Sequence, residues 1–197
     1  MLLLWGNIIH LYGQTATATS TFYKGADISW TTELEAEGHH FYDFQGNEQE
    51  CTSLMKKLGM NAIRLRVWVN PKNKWSSKED MLELAKRVKA NHMELMVDFH
   101  YSDWWADPGK QNVPQAWKGL SYEEMKKALA AHTKEVLQLL KNHNITPKWV
   151  QVGNETSDGF LWEMGRASTQ MAQYAGLTTA GYDAVKSIFP EATVIVH

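Results

Sequence analysis

The sequence has one cysteine, Cys51, so no intramolecular disulfide, cysteine metal cluster or dithiol redox pair can be built from it. It also lacks an excess of charge of either sign: a formal net charge of −2 provides no basic field to hold nucleic acid or an anionic membrane surface. There is no G-x-G-x-x-G, no phosphate-binding P-loop and no H-E-x-x-H, which removes the usual signatures of dinucleotide, nucleotide and zinc-protease chemistry. His39-His40 falls in an expected loop, where solvated histidines are the simpler reading, and Cys51 falls in an expected helix as buried filler rather than a nucleophile. What is present is a 44% hydrophobic chain of 197 residues with 9 tryptophans. Indole faces match the C–H faces of sugars, and they fill cores equally well, so composition alone leaves both uses open.

The first residues, Met1-Leu2-Leu3-Leu4-Trp5 with Ile8-Ile9 and Leu11-Tyr12, form an interrupted apolar stretch that leads into small residues, with Ala16-Thr17-Ala18 a candidate cleavage site. Residues 1–22 are therefore expected to be a signal peptide or a disordered segment, and the protein to be secreted or periplasmic. No Lys or Arg precedes the apolar part and Gly6, Asn7 and His10 interrupt it, so an N-terminus without export value is the rival reading. A membrane-spanning helix is not expected, because it needs about 20 consecutive apolar residues.

From Tyr23 onward, β-rich runs alternate with amphipathic stretches, the pattern of βα units around a parallel sheet. Strands are expected over 24–30, 61–69, 93–100, 148–153 and 192–197. Asn47 with Glu50 resembles a capping box for a helix ending near Leu58-Gly59, Ser77 caps a second helix, and Ser121 with Glu124 opens the clearest one. A last helix over 168–189 stops at Pro190. The fold class is read as α/β, a (β/α)8 TIM barrel of which residues 23–197 carry roughly the first four βα units and the fifth strand. Such a barrel takes about 250 residues, so the chain is expected to be the N-terminal part of a longer catalytic domain. A complete five-stranded open sheet is the rival, weakened by a last strand with no helix after it to cover it.

Strand parity sorts the chemistry. Ile63, Leu65 and Val67 oppose Arg64, Arg66 and Trp68; Leu95, Val97 and Phe99 oppose Met96, Asp98 and His100; Val150 and Val152 oppose Gln151 and Glu155; Ala26 and Ile28 oppose Asp27 and Ser29. Four neighbouring strands would aim charges of both signs into one interior, where an unpaired charge costs several kcal/mol. Mutual pairing is expected, and Arg64, Asp98 and Asp27 read as well as paired supports as they do as site residues.

Two strand ends carry the candidate chemistry. Val150-Gln151-Val152-Gly153-Asn154-Glu155 sets an amide and a carboxyl side by side at a barrel rim. A carboxyl there can protonate a glycosidic oxygen and then take a proton from water, while an amide hydrogen-bonds a sugar hydroxyl. Residues 98–109 hold His100, Asp103, Trp104 and Trp105 in one loop, stacking faces beside hydrogen-bond acceptors. One of the two tryptophans is expected to pack the loop on the barrel and the other to meet ligand.

Together, Gly25-Ala26-Asp27-Ile28-Ser29, Arg64-Leu65-Arg66-Val67-Trp68-Val69-Asn70-Pro71, residues 98–109 and Val152-Gly153-Asn154-Glu155 resemble the endo-β-1,4-galactanases of glycoside hydrolase family 53, a family of retaining (β/α)8-barrel glycosidases, from about Tyr23 to the last residue. The resemblance implies endo-acting cleavage of β-1,4-galactan, the side chain of type I arabinogalactan in pectin. It implies that Glu155 is the general acid/base, that Asn154 holds the sugar at the cleavage position, that Arg66 supports the nucleophilic carboxylate and that His100 lines the same subsite. Asp27, Asp103, Trp104 and Trp105 match positions near the substrate cleft. The nucleophile of the family is a second Glu at the end of the seventh strand, and no residue of this chain fills that role. Retaining chemistry needs two carboxyls roughly 5–5.5 Å apart, and neither Asp98 nor Asp103 is moved into the vacant role. No cofactor is expected; the structural calcium of some bacterial members sits in a later loop. The expected partner is polysaccharide, with no nucleic acid and no membrane, and a monomer at full length. A retaining barrel glycosidase on another β-1,4-glycan and a galactan-binding protein without hydrolysis are the alternatives.

Overall fold

The computed structural model describes residues 21–197; the apolar stretch and candidate cleavage site lie outside the described residues. In chain order the elements are β1 (Gly25–Asp27), α1 (Thr31–Ala36), β2 (Phe41–Tyr42), β3 (Glu48–Gln49), α2 (Cys51–Lys57), β4 (Ala62–Val67), α3 (Lys78–Ala90), β5 (Glu94–Phe99), α4 (Tyr122–Asn142), β6 (Trp149–Val152), α5 (Ala167–Ile188) and β7 (Thr193–Ile195). The main sheet runs β1-β4-β5-β6-β7, every pair parallel, with Asp27 beside Arg64, Arg66 beside Asp98, and Asp98 beside Gln151. Spatial order follows chain order without a reversal, which is the winding of a barrel wall; a doubly wound open sheet reverses at a switch point.

The two faces of this sheet differ as the parity requires. Ile63, Leu65, Val67, Val97, Phe99, Val150 and Val152 are fully buried and share one core with Met81, Leu84 and Val88 of α3, Leu129, Val136 and Leu140 of α4, and Leu177 and Val185 of α5. Each large apolar side chain removed from water contributes about 1.5–3 kcal/mol, and this face fastens the helices to the strands. The opposite face carries Asp27, Arg64, Arg66, Asp98 and Gln151, which suits a barrel interior and not the second helix layer of an open sheet.

Local rules set the helix starts. At Ser121 the hydroxyl accepts from the Glu124 amide and the Glu124 carboxylate accepts from the Ser121 amide at 2.8 Å, a complete capping box opening α4. Ser77 caps α3 by accepting from the Asp80 amide. The helix expected to start at Asn47 instead starts at Cys51. The Asp43 carboxylate accepts from the Gln45 and Asn47 amides and closes a turn between β2 and β3, while Glu50 caps α2 by accepting from Thr52 and Ser53. Burial alone would push the Glu50 carboxyl up, but those two amide hydrogen bonds hold it below its ordinary range. The expected strand 24–30 likewise stops at Asp27, whose carboxylate accepts from the Ser29 amide and hydroxyl and turns the chain into α1.

Candidate active site

Arg64 is the hub of the barrel interior. Its Nη1 donates to Asp27 Oδ2 at 2.8 Å, and its Nη2 lies 2.6 Å from Asp98 Oδ2 and 2.8 Å from Asn154 Oδ1. Asp98 is fully buried and also accepts from Gln151 Nε2, at 2.5 Å, and from His100 Nε2, at 2.9 Å. Arg64, Asp98 and Asp27 form the paired support that alternating signs on neighbouring strands imply.

His100 belongs to the same layer. It is buried, with Nε2 on Asp98 and Nδ1 facing two donors, the Trp68 indole N–H at 3.4 Å and the Ala106 amide at 3.2 Å. Both ring nitrogens are thus engaged among the described residues. Asn154 is also held on both ends: Oδ1 accepts from Arg64 and Gln151, and Nδ2 donates to the Ala106 carbonyl at 2.8 Å, which leaves one N–H for a ligand. His197 Nδ1 stands 3.4 Å from the same Oδ1. Asp103 is a loop fastener, with Oδ1 accepting from the Asn70 amide and Oδ2 from the Gln115 amide.

Arg66 lies inside an aromatic cage. Its guanidinium carbon is 4.3 Å from the Trp105 ring centroid, 5.1 Å from that of Trp30 and 5.2 Å from that of Trp68, and its Nε donates to Ser76 Oγ. Burial pulls its pKa below the ordinary arginine value, against the opposing pull of Asp27 and Asp98. Arg66 Nη2 is buried without a hydrogen-bond partner among the described residues, a donor free for an anionic group. The two adjacent tryptophans divide: Trp105 covers Arg66, while Trp104 is half exposed and rests against Trp68 with ring centroids 4.6 Å apart.

Glu155 follows β6 at the mouth. Its side chain is partly buried and makes no hydrogen bond or ion pair among the described residues, whereas Asp27, Asp98 and Asp103 are all engaged. Its φ is +51°, left-handed for a residue with a Cβ, and Gly153 two positions earlier has φ +85°. A Cβ on Gly153 would lie 2.6 Å from Thr156 Cγ2, so both backbone and space require glycine there.

The structure thus brings Asp27, Arg66, His100, Asp103, Trp104, Trp105, Asn154 and Glu155 to one end of the sheet, in unequal roles. Sequence reasoning missed Ser76, Trp30 and Gln111, whose contacts cross between loops. Among the described residues no group of three or more His, Cys, Asp or Glu is placed to hold a metal ion. No described helix is long and apolar enough to cross a membrane.

Comparison with known proteins gives the family. The chain is 37% identical over 184 residues to an endo-beta-1,4-galactanase of Bacillus subtilis, covering 89% of this chain and 42% of that protein. The solved GH53 catalytic domain of Ignisphaera aggregans superposes with a TM-score of 0.85 at 38% identity, covering 89% of this chain and 51% of that one. A solved fungal beta-1,4-galactanase gives a TM-score of 0.85 at 32% identity, covering 90% of this chain and 54% of that one. The chain spans about half the length of the curated relatives it matches. With the model of glycosyl hydrolase family 53 matching residues 23–197, the chain belongs to that family.

Proposed function

We propose that this protein is an endo-acting β-1,4-galactanase with Glu155 as its general acid/base. The observation that carries the reading is the Glu155 carboxyl at the end of β6, without a hydrogen bond or ion pair among the described residues, beside carboxylates that are held by Arg64 or by loop amides. The names printed for the Bacillus and fungal relatives support galactan as the substrate. In the first step the Glu155 proton passes to the glycosidic oxygen as the bond from that oxygen to the anomeric carbon breaks and a second carboxylate, the nucleophile, bonds to that carbon. In the second, the Glu155 carboxylate takes a proton from water as the water oxygen bonds to the anomeric carbon and the nucleophile departs. The free N–H of Asn154 is directed to a sugar hydroxyl, and Arg66 Nη2 to the anionic nucleophile. Asp98 does not serve as that nucleophile, because it has no exposed surface for a sugar to reach. A polymer of this kind is met outside the cell, and the apolar N-terminus with Ala16-Thr17-Ala18 supports export.

The test is release of reducing ends from β-1,4-galactan, mannan and cellulose by the protein as its organism makes it, with the product anomer followed by proton NMR. Cleavage of galactan alone, with a β-anomer formed first, supports the reading. Cleavage of mannan or cellulose in preference, or binding to galactan without reducing-end release, overturns it.

A further inference from the structure

Gln111 sits in the loop between β5 and α4, is buried, and has no part in the chemistry described above. Its side-chain nitrogen faces three backbone carbonyls, those of Asn154 at 2.8 Å, Glu155 at 3.2 Å and Asp107 at 3.2 Å. Three oxygens converging on one atom demand a donor, which fixes the orientation of the amide. The backbone carbonyl of Gln111 in turn accepts from the Trp162 amide at 2.8 Å, so this residue joins its own loop to the one after β6.

The two carbonyls belong to the turn that carries the candidate acid/base. Left-handed backbone is uncommon for a residue with a Cβ and persists where the surroundings over-determine it. At Glu155 the visible determinant is a donor that reaches both its own carbonyl and that of Asn154. Thr156, held by the His197 carbonyl, anchors the far side of the turn. If the Gln111 amide were lost, Glu155 could return to ordinary backbone and its carboxyl would swing with it.

We propose that Gln111 is a positioning residue that holds the Asn154–Glu155 backbone in the conformation aiming the Glu155 carboxyl at the scissile oxygen. The proposal rests on the reading of Glu155 as acid/base. It separates Gln111 from residues that merely pack the loop, because the loss it predicts is a loss of proton transfer.

The experiment uses the protein as its organism makes it and two variants. Gln111→Leu keeps the bulk and Gln111→Met the length, each without a donor. On galactan both are expected to lose about 10–100-fold in kcat with KM within about threefold, because general acid–base catalysis contributes roughly 10²–10⁴-fold. On 2,4-dinitrophenyl β-galactobioside, whose leaving group departs without protonation, azide is expected to accelerate both variants and not the wild type, since azide needs no base to attack the glycosyl-enzyme. Turnover of the variants within twofold of wild type, or equal losses on both substrates without an azide response, overturns the proposal. Should Gln111→Leu not fold, Gln111→Met carries the same test; should neither fold, Gln111 is a folding determinant and the proposal fails. Glu155→Ala run alongside keeps the two claims apart. An azide response there with none in the Gln111 variants sinks only the positioning role, while unchanged galactan turnover by Glu155→Ala sinks the acid/base reading itself.

Discussion

The Arg64 guanidinium lies 2.6 Å from the carboxylate of Asp98, a residue with no exposed surface, and the same guanidinium reaches Asp27 and Asn154. One cation thus pairs with both interior aspartates and holds the amide beside Glu155. Truncating one member of a buried pair leaves the other charged and unsolvated, at a cost of about 3–5 kcal/mol. Arg64→Leu is therefore expected to lower the Tm by roughly 6 °C or more, at about 2–4 °C per kcal/mol for a protein of this size. Adding Asp98→Asn to that variant removes the stranded charge and should recover part of the loss. Thermal unfolding of both single variants and the double variant measures the coupling; strictly additive losses would show that the pair is not the unit described.

His132 of α4 faces Phe99, Tyr101 and Trp117, and burial pushes its imidazole down to about 4 from an ordinary 6.5. Between those two values the unfolded chain binds a proton that the folded one does not. The stability is therefore complete above pH 6.5 and falls as the pH drops toward about 4, by roughly 3 kcal/mol in all. His132→Leu should flatten the decline of Tm between pH 7 and pH 4. An unchanged slope in that variant would place the acid sensitivity elsewhere.

The adjacent tryptophans should separate in function as they do in place. Trp104 is half exposed, and its replacement by Ala is expected to weaken binding of galacto-oligosaccharides about 2–10-fold with little change in Tm, the size of one aromatic contact. Trp105 covers the Arg66 guanidinium at 4.3 Å, so Trp105→Ala should lower both Tm and affinity. Isothermal titration beside thermal unfolding distinguishes the two, and equal behaviour of both variants would contradict the division.

Much of this was readable from alternation alone. On β4, β5 and β6 the period of two assigns Leu65, Val97 and Val150 to the helices and Arg64, Asp98 and Gln151 to the interior, and the contacts follow that division: the first set lies in the apolar core, the second in one layer of ion pairs and hydrogen bonds. Such parity survives because burial on one face forbids a slip of register. Short-range side-chain hydrogen bonds escaped the periodicity: Asp27 ends β1 early by bonding Ser29, and Asp43 closes a turn where Asn47 resembled a cap. The residue types near the site were legible, but the state of their polar atoms was not. Asn154 could be named from the chain, whereas its engagement with Ala106 and Arg64 comes from a loop and a strand 48 and 90 residues away. Gln111 shows the limit most clearly, since its partners lie 43 and 44 residues away.

The most direct measurement is the steady-state turnover of β-1,4-galactan by Glu155→Gln, in the protein as its organism makes it, beside its affinity for a galacto-oligosaccharide. The account predicts a kcat lower by about 10²–10⁴-fold with affinity retained, because an amide of the same shape can bind but cannot supply the proton. Turnover at the wild-type rate would contradict it.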